Sequence, residues 1–292
     1  MGSKKPAGQV DHFHRLPEEV LLYIFSKLTD LKSLCQCSLV SKRFASVISH
    51  TRTIYVTLHG AHSSVKQTAA LLELLSLQEL KLLKNFKELE SIYVEYTYPK
   101  EIDSPSFLKW KIKCTSSNAF IGSFICLSAS VHKMIKHEPD DEQETRQIST
   151  EFMRLSYRRY MEWLFLIFEL AKSHASLKSV RIEDSEKTAN LVVRDEQIVK
   201  TRSCVLEKEL PDVNGIRSLL KIAWVPELRL PLSGYLMRGV GLTIIKPPTE
   251  EQGGNVNNHD DITFWDFEDE EKVFAEAVKE ILINHRDKII GD

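Results

Sequence analysis

Cysteine and histidine are the side chains best suited to hold a metal or attack a substrate, and in this chain their spacing argues against both roles. Cys35 and Cys37 form a C-x-C pair, but on a helix two residues so spaced point about 200° apart, poor geometry for one shared metal or a disulfide. They read as core. His12 with His14 and His59 with His62 are close in sequence, yet neither pair has Cys or carboxylate partners at a zinc spacing. No metal and no cofactor is expected. The phosphate-cradling, dinucleotide, nucleophile-elbow and H-E-x-x-H patterns are absent, and Gly253-Gly254 falls in a polar stretch. No catalytic residues are expected. Two charged clusters remain. Arg154, Arg158 and Arg159 could bind phosphate, and Asp266 to Glu271, interleaved with Trp265 and Phe267, could dock in a basic groove. Each also reads as a solvated helix surface.

The chemistry that is legible is association. In HRLPEEVLLYIFSKLTDLKSLCQCSLVSKRFASVIS, from His14 to Ser49, Pro17 suits a first helical position, and Glu18 and Glu19 place negative charge at the positive end of the helix dipole. Leu16, Val20, Leu21, Ile24, Phe25 and Leu28 spread over about half the circumference, wider than the roughly 100° stripe that one packing partner needs. Two surfaces are served. Thr29 and Asp30 suit the N-cap of a second helix carrying Leu31 and Leu34. A third helix is expected through Leu39 to Ile48, with Val40, Phe44, Val47 and Ile48 inward and Ser41, Lys42 and Arg43 outward. Some 40 residues lie at the size limit for folding alone, so apolar surface left over calls for a second protein.

Leu16, Pro17, Ile24, Phe25, Leu28, Leu34, Val40, Ser41, Lys42, Arg43 and Phe44 match, in order, the pattern of the F-box, a Leu-Pro start, an Ile-Phe pair and a later Val-Ser-Lys-Arg-Phe segment. The chain resembles that family. Phe44 stands where Trp is frequent, and Ser41 where Cys is. The resemblance implies an F-box module over residues 11–50 that binds a Skp1-like adaptor through Leu16, Pro17, Val20, Leu21, Ile24, Phe25, Leu28, Leu34, Val40 and Phe44. Through the adaptor it would reach a cullin, a RING subunit and the ubiquitin-charged E2. Residues 51–292 would hold an unidentified protein substrate. A scaffold or regulatory role without ligase assembly is the alternative.

Beyond residue 50 an α+β arrangement is expected. Val65 to Leu83 reads as a buried helix and Ser91 to Tyr98 as a strand closed by Pro99. The pattern returns as a helix from Glu151 to His174 and a second strand. LESIYVE, from Leu89 to Glu95, is echoed by LKSVRIE, from Leu177 to Glu183. Helix then strand, twice, gives an irregular domain of weak leucine-rich-repeat character, without the regular period of a long solenoid. Lys109 to Lys113, Phe120 to Leu127, Leu219 to Val225 and Val240 to Ile245 read as strands around VPELRLPLSGYLMRG, and Phe274 to Leu282 as a terminal amphipathic helix. Residues 136–147 and 247–261 read as exposed loops. With LKWK at Leu108 to Lys111, this region resembles the plant auxin up-regulated F-box group.

Bulk composition sets limits. With 39 basic and 41 acidic residues the net charge is -2, which supplies no general attraction to nucleic acid or an anionic membrane. Five scattered cysteines suit a reducing compartment. The longest uncharged apolar run, Trp163 to Phe168, is too short to span a bilayer, and a cytoplasmic or nuclear location is expected.

Overall fold

The computed structural model describes residues 12–28, 30–60, 78–98, 107–113, 123–133, 142–206, 219–246, 265, 267 and 271–290. The expected loop at 247–261, residues 136–141 of the other expected loop, residues 65–77 of an expected helix, residues 120–122 of an expected strand and Thr29 lie outside them.

A 3-10 turn at His12–Arg15 leads into α1 (Glu18–Ser26), α2 (Leu31–Ser38) and α3 (Lys42–Ile48). The Asp30 side chain caps α2 by accepting the Ser33 N–H at 2.8 Å, a bond that holds its carboxyl below the ordinary value. Ser41 caps α3 in the same way, its Oγ accepting the Phe44 N–H at 3.1 Å. Two boundaries differ from expectation. Pro17 is the N-cap rather than the first helical residue, with ψ at 155°. The third helix starts at Lys42, not Leu39, because Ser41 takes extended backbone to cap it. Leu39 and Val40 are left in the turn before it.

Strands β1 (Thr53–His59), β2 (Ser91–Thr97) and β5 (Ser179–Asp184) run parallel, and β6 (Asn190–Arg194) closes that sheet antiparallel to β5. The sequence echo is here a physical register. Ser91 lies beside Ser179, Ile92 beside Val180, Val94 beside Ile182 and Glu95 beside Glu183. A third copy precedes them, since Thr53-Ile54-Tyr55-Val56 lies in register on Ser91-Ile92-Tyr93-Val94. Tyr55 and Tyr93 stack at 4.5 Å. Even the entry is repeated: Ser91 N–H donates to the Arg52 carbonyl at 2.9 Å, and Ser179 N–H to the Glu90 carbonyl at 3.0 Å. Helix α4 (Gln78–Leu83) precedes β2, and the long helix α5 (Glu142–Ser173) precedes β5.

The second sheet is antiparallel, in the order β3 (Phe107–Lys113), β4 (Ser123–Lys133), β8 (Tyr235–Lys246), β7 (Leu219–Leu230), β9 (Ile289–Ile290). Its strands outrun the apolar runs that announced them. β4 continues past Leu127 through small polar residues, with a register shift between Ser128 and Ser130. The segment between the two expected strands is itself a hairpin, turning at Gly234 with φ +71°. Residues 142–147, expected as exposed loop, form the first turns of α5. Glu, Gln, Thr and Arg there read as loop by charge, but three of those four types are good helix formers. Helix α6 (Asp195–Leu206) follows β6, and α7 (Lys272–Asn284) packs on β7, with Arg286 Nε donating to the Leu282 carbonyl at 2.9 Å near its end. The chain is thus mixed α and β.

Two cores result. One runs unbroken from Leu21, Leu34 and Ile48 of the opening helices through Ile54 and Leu58 of β1 to Trp163 of α5. It crosses the expected module boundary at residue 50. The other lies between the second sheet and α7, through Leu127, Val225, Leu242, Phe274 and Ile281.

Helix α5 joins the sheets. Tyr160 meets Phe124 at 4.9 Å on one side, and Trp163 stacks on Tyr96 at 6.0 Å on the other. Polar groups are trapped between. Glu162, 3% exposed, accepts from Arg158 Nε at 3.3 Å and from the Tyr98 hydroxyl at 3.4 Å, while Arg159 lies 4.0 Å over the Tyr98 ring. Burial pushes the Glu162 carboxyl up to about 7, against the pull of Arg158. A Cβ on Gly60 would come within 2.0 Å of Tyr98 Cε1.

Because the folded state holds the Glu162 proton more tightly than the unfolded chain, its contribution to stability grows as pH falls from about 7 towards the ordinary carboxylate range and is lost as pH rises through 7. Thermal melts of the wild type and Glu162→Gln should diverge between pH 5 and 8, with a difference on the order of 2–3 kcal/mol across the window. Parallel curves would refute the assignment. Gly60→Ala should cost about 1–3 kcal/mol by denaturant unfolding, because the Tyr98 ring is held on three sides.

Candidate functional site

The opening helices are locked by one arginine and three phenylalanines. From α3, Arg43 Nη1 donates to the Phe13 carbonyl at 3.2 Å and Nη2 to the Leu16 carbonyl, tying the 3-10 turn to the helices. Arg43 was expected to face outward; the carbonyls of the turn hold it instead. Phe44 packs edge-on between Phe25 at 5.0 Å and Phe13 at 5.8 Å.

The wide apolar face of α1 divides in two. Leu21 and Phe25 are buried, while Val20 and Ile24, about 40° apart on the helix, stay exposed. Pro17 is exposed, and Leu16, Leu28 and Phe44 are half-buried. Leu34 is buried within α2, and Val40 stands in the turn at 70% exposure. Of the ten residues expected at an adaptor interface, Leu21, Phe25 and Leu34 are therefore interior. The same periodicity that marks an exposed stripe also marks the core beneath it.

Two exposed residues escape the sequence reading. Tyr23 is 65% exposed on the outer side of α1, with Lys27 Nζ 5.0 Å above its ring, and Leu39 is 86% exposed beside Val40. The Ser41 cap was the signal for Leu39, for a residue that caps a helix puts those before it outside that helix.

The other candidate chemistries disperse. Cys35 and Cys37 are half-buried, burial raising the Cys35 thiol, and Cys126 is fully buried and pushed up to about 12. That leaves Cys126 no thiolate with which to react. Among the described residues no group of three His, Cys, Asp or Glu could hold a metal, and no helix is long and apolar enough to cross a membrane. The arginine trio does not form one site: Arg154 pairs with Glu151 at 3.2 Å, Arg158 is buried on Glu162, and Arg159 covers Tyr98. In the acidic run, Trp265 is buried, Phe267 meets Phe274 edge-on at 5.2 Å, and Glu271 pairs with Lys111 at 2.6 Å. Its aromatics face inward.

Residues 13–59 match the F-box-like family. The chain carries an F-box-like domain at its N-terminus. The match passes residue 50 and takes in β1, as the continuous core does. The F-box protein AUF2 of Arabidopsis thaliana is 25% identical over 276 residues, 82% of this chain and 86% of that protein, a likeness to the auxin up-regulated F-box group. Two other Arabidopsis thaliana relatives are similar over a short stretch. The F-box protein At4g18380 is 46% identical over 48 residues, 16% of this chain and 13% of that protein. The F-box protein At5g46170 is 40% identical over 48 residues, 16% and 12%. No solved structure matches.

The division of the F-box face predicts two classes of variant. Leu21→Ala should lower stability by about 2–5 kcal/mol, and Arg43→Ala by about 1–2 kcal/mol through the lost carbonyl bonds. Leu39→Ser and Tyr23→Ser should stay within about 0.5 kcal/mol of wild type in the same denaturant series.

Proposed function

We propose that this protein is the substrate-recruiting subunit of a Skp1-cullin-F-box ubiquitin ligase. F-box domains generally bind Skp1 within such complexes. The observation that carries the reading is the set of apolar side chains, Val20, Tyr23 and Ile24 on α1 with Leu39 and Val40 in the α2–α3 turn, left exposed by a module whose core is already filled. Docking would remove them from water and contribute about 25 cal/mol per Å² of apolar surface buried. The subunit needs no catalytic group of its own. Holding a bound protein near a ubiquitin-charged E2 raises the effective concentration of its lysines, and the bond chemistry belongs to the other subunits. The location consistent with this role is the cytoplasm or nucleus.

Co-expression with a Skp1-type adaptor and a cullin tests it. Wild type should bring down both, whereas Val20→Asp with Ile24→Asp, or Leu39→Asp with Val40→Asp, should lose both while keeping the wild-type melting temperature. Adaptor retained without cullin or ubiquitin transfer would replace the ligase reading with that of a scaffold.

A further inference from the structure

The second sheet is covered unevenly. On one face α7 lies across β7. On the other, α5 lies chiefly over β8 and β4 and touches β7 only lightly. There Leu220 and Ile222 are 43% and 37% exposed and Ile290 is 76% exposed. Register aligns them into a floor, with Ile222 between Thr243 and Ile290, Leu220 beside Ile245 and Trp224 beside Gly241. Met153 and Tyr157 of α5 form one wall, and the far end is closed by Asp287 and Lys288. The groove encloses about 660 Å³, within the range of roughly 300–1,000 Å³ typical of ligand sites.

Its charge is one-sided. Among the described residues, Arg146, Arg154 and Lys288 line it with one acid, Asp287. The Arg146 guanidinium sits 5.3 Å over the Trp224 ring. Arg154 bonds Glu151 at 3.2 Å and Lys288 Nζ lies 3.7 Å from Asp287, both pairs at the surface where an incoming carboxylate can compete. Among the described residues the Trp224 indole N–H, itself buried, has no acceptor. Exposed aliphatics, an aromatic and flanking cations make up the composition of an interface hot spot.

We infer that this groove is the substrate-binding site of the proposed adaptor and that it takes an acidic peptide segment bearing apolar side chains. The apolar side chains cover Leu220, Ile222 and Ile290, and the carboxylates meet Arg146, Arg154 and Lys288 on the banks. This inference rests on the reading of the chain as a recruiting subunit.

Fluorescence anisotropy on the full chain tests it, with a labelled synthetic peptide in which Asp and Glu flank a Leu-Phe pair. Two controls replace the acids by Lys or the Leu-Phe pair by Ala-Ala. The acidic apolar peptide should bind about tenfold or more tightly than either control. Ile222→Glu should abolish that preference, and Arg154→Glu should reverse it towards the basic peptide, both residues being exposed enough to change without loss of fold. Equal binding of all three peptides, or no effect of Ile222→Glu, would overturn the inference. So would a concentration-dependent dimer dissolved by Ile222→Glu, since a second copy would then own the groove. Adaptor capture by the Ile222→Glu variant separates the two readings: it should be unchanged, and its absence in wild type would strike the F-box reading alone.

Discussion

One helix has to bury the faces of two sheets, and most of the architecture follows from that constraint. Helix α5 meets the parallel sheet through Trp163 and the antiparallel sheet through Met153 and Tyr160. A helix with its side chains is about 10 Å across and strands lie about 4.8 Å apart, so α5 lies mainly over β8 and β4 and only grazes β3 and β7. The thinly covered strip along β7 and β9 is the geometric remainder. The same squeeze removes Arg158 and Glu162 from water and forces them to satisfy each other four residues apart.

A second consequence concerns the join between the F-box helices and the rest. No separate core closes at residue 50; Ile48 of α3 and Ile54 of β1 belong to one cluster, and Asp30, while capping α2, also bridges to Tyr55. The surface bearing Leu39 and Val40 is therefore fixed in orientation to the strands behind it rather than hung on a tether. In the proposed recruiting role, a fixed orientation sets which part of the cargo faces the reaction.

How much of this was legible depended on whether a signal was local. The cap at Asp30, the stripe on α1 and the LESIYVE–LKSVRIE echo are carried by neighbouring residues and were readable, whereas Ser41 was read as an outward residue of the helix that it caps. The third copy, TIYV at Thr53, was just as plain as text but was not read as part of the echo. What periodicity could not supply was which half of a wide stripe is interior: Leu21, Phe25 and Leu34, expected at an adaptor interface, are buried within the chain itself. Strand lengths failed for a related reason: β4 and β8 are covered on both faces, so Ser128 and Thr243 are buried where alternation predicts apolar side chains. The groove was beyond reach, since Ile222 and Ile290 meet only through pairing of distant segments.

The parallel register also orders events along the chain. Pairing of β1 with β2 closes a loop holding α4, whereas pairing of β2 with β5 must wait until β3, β4 and the whole of α5 have been made. Non-local parallel pairing is slow because closure entropy is paid before contacts return it. During synthesis β2 thus stands for a time with one edge open and its Ile92 and Val94 face uncovered, until the echo of its own sequence arrives to pair with it. A segment so exposed is where chaperones would have most to do.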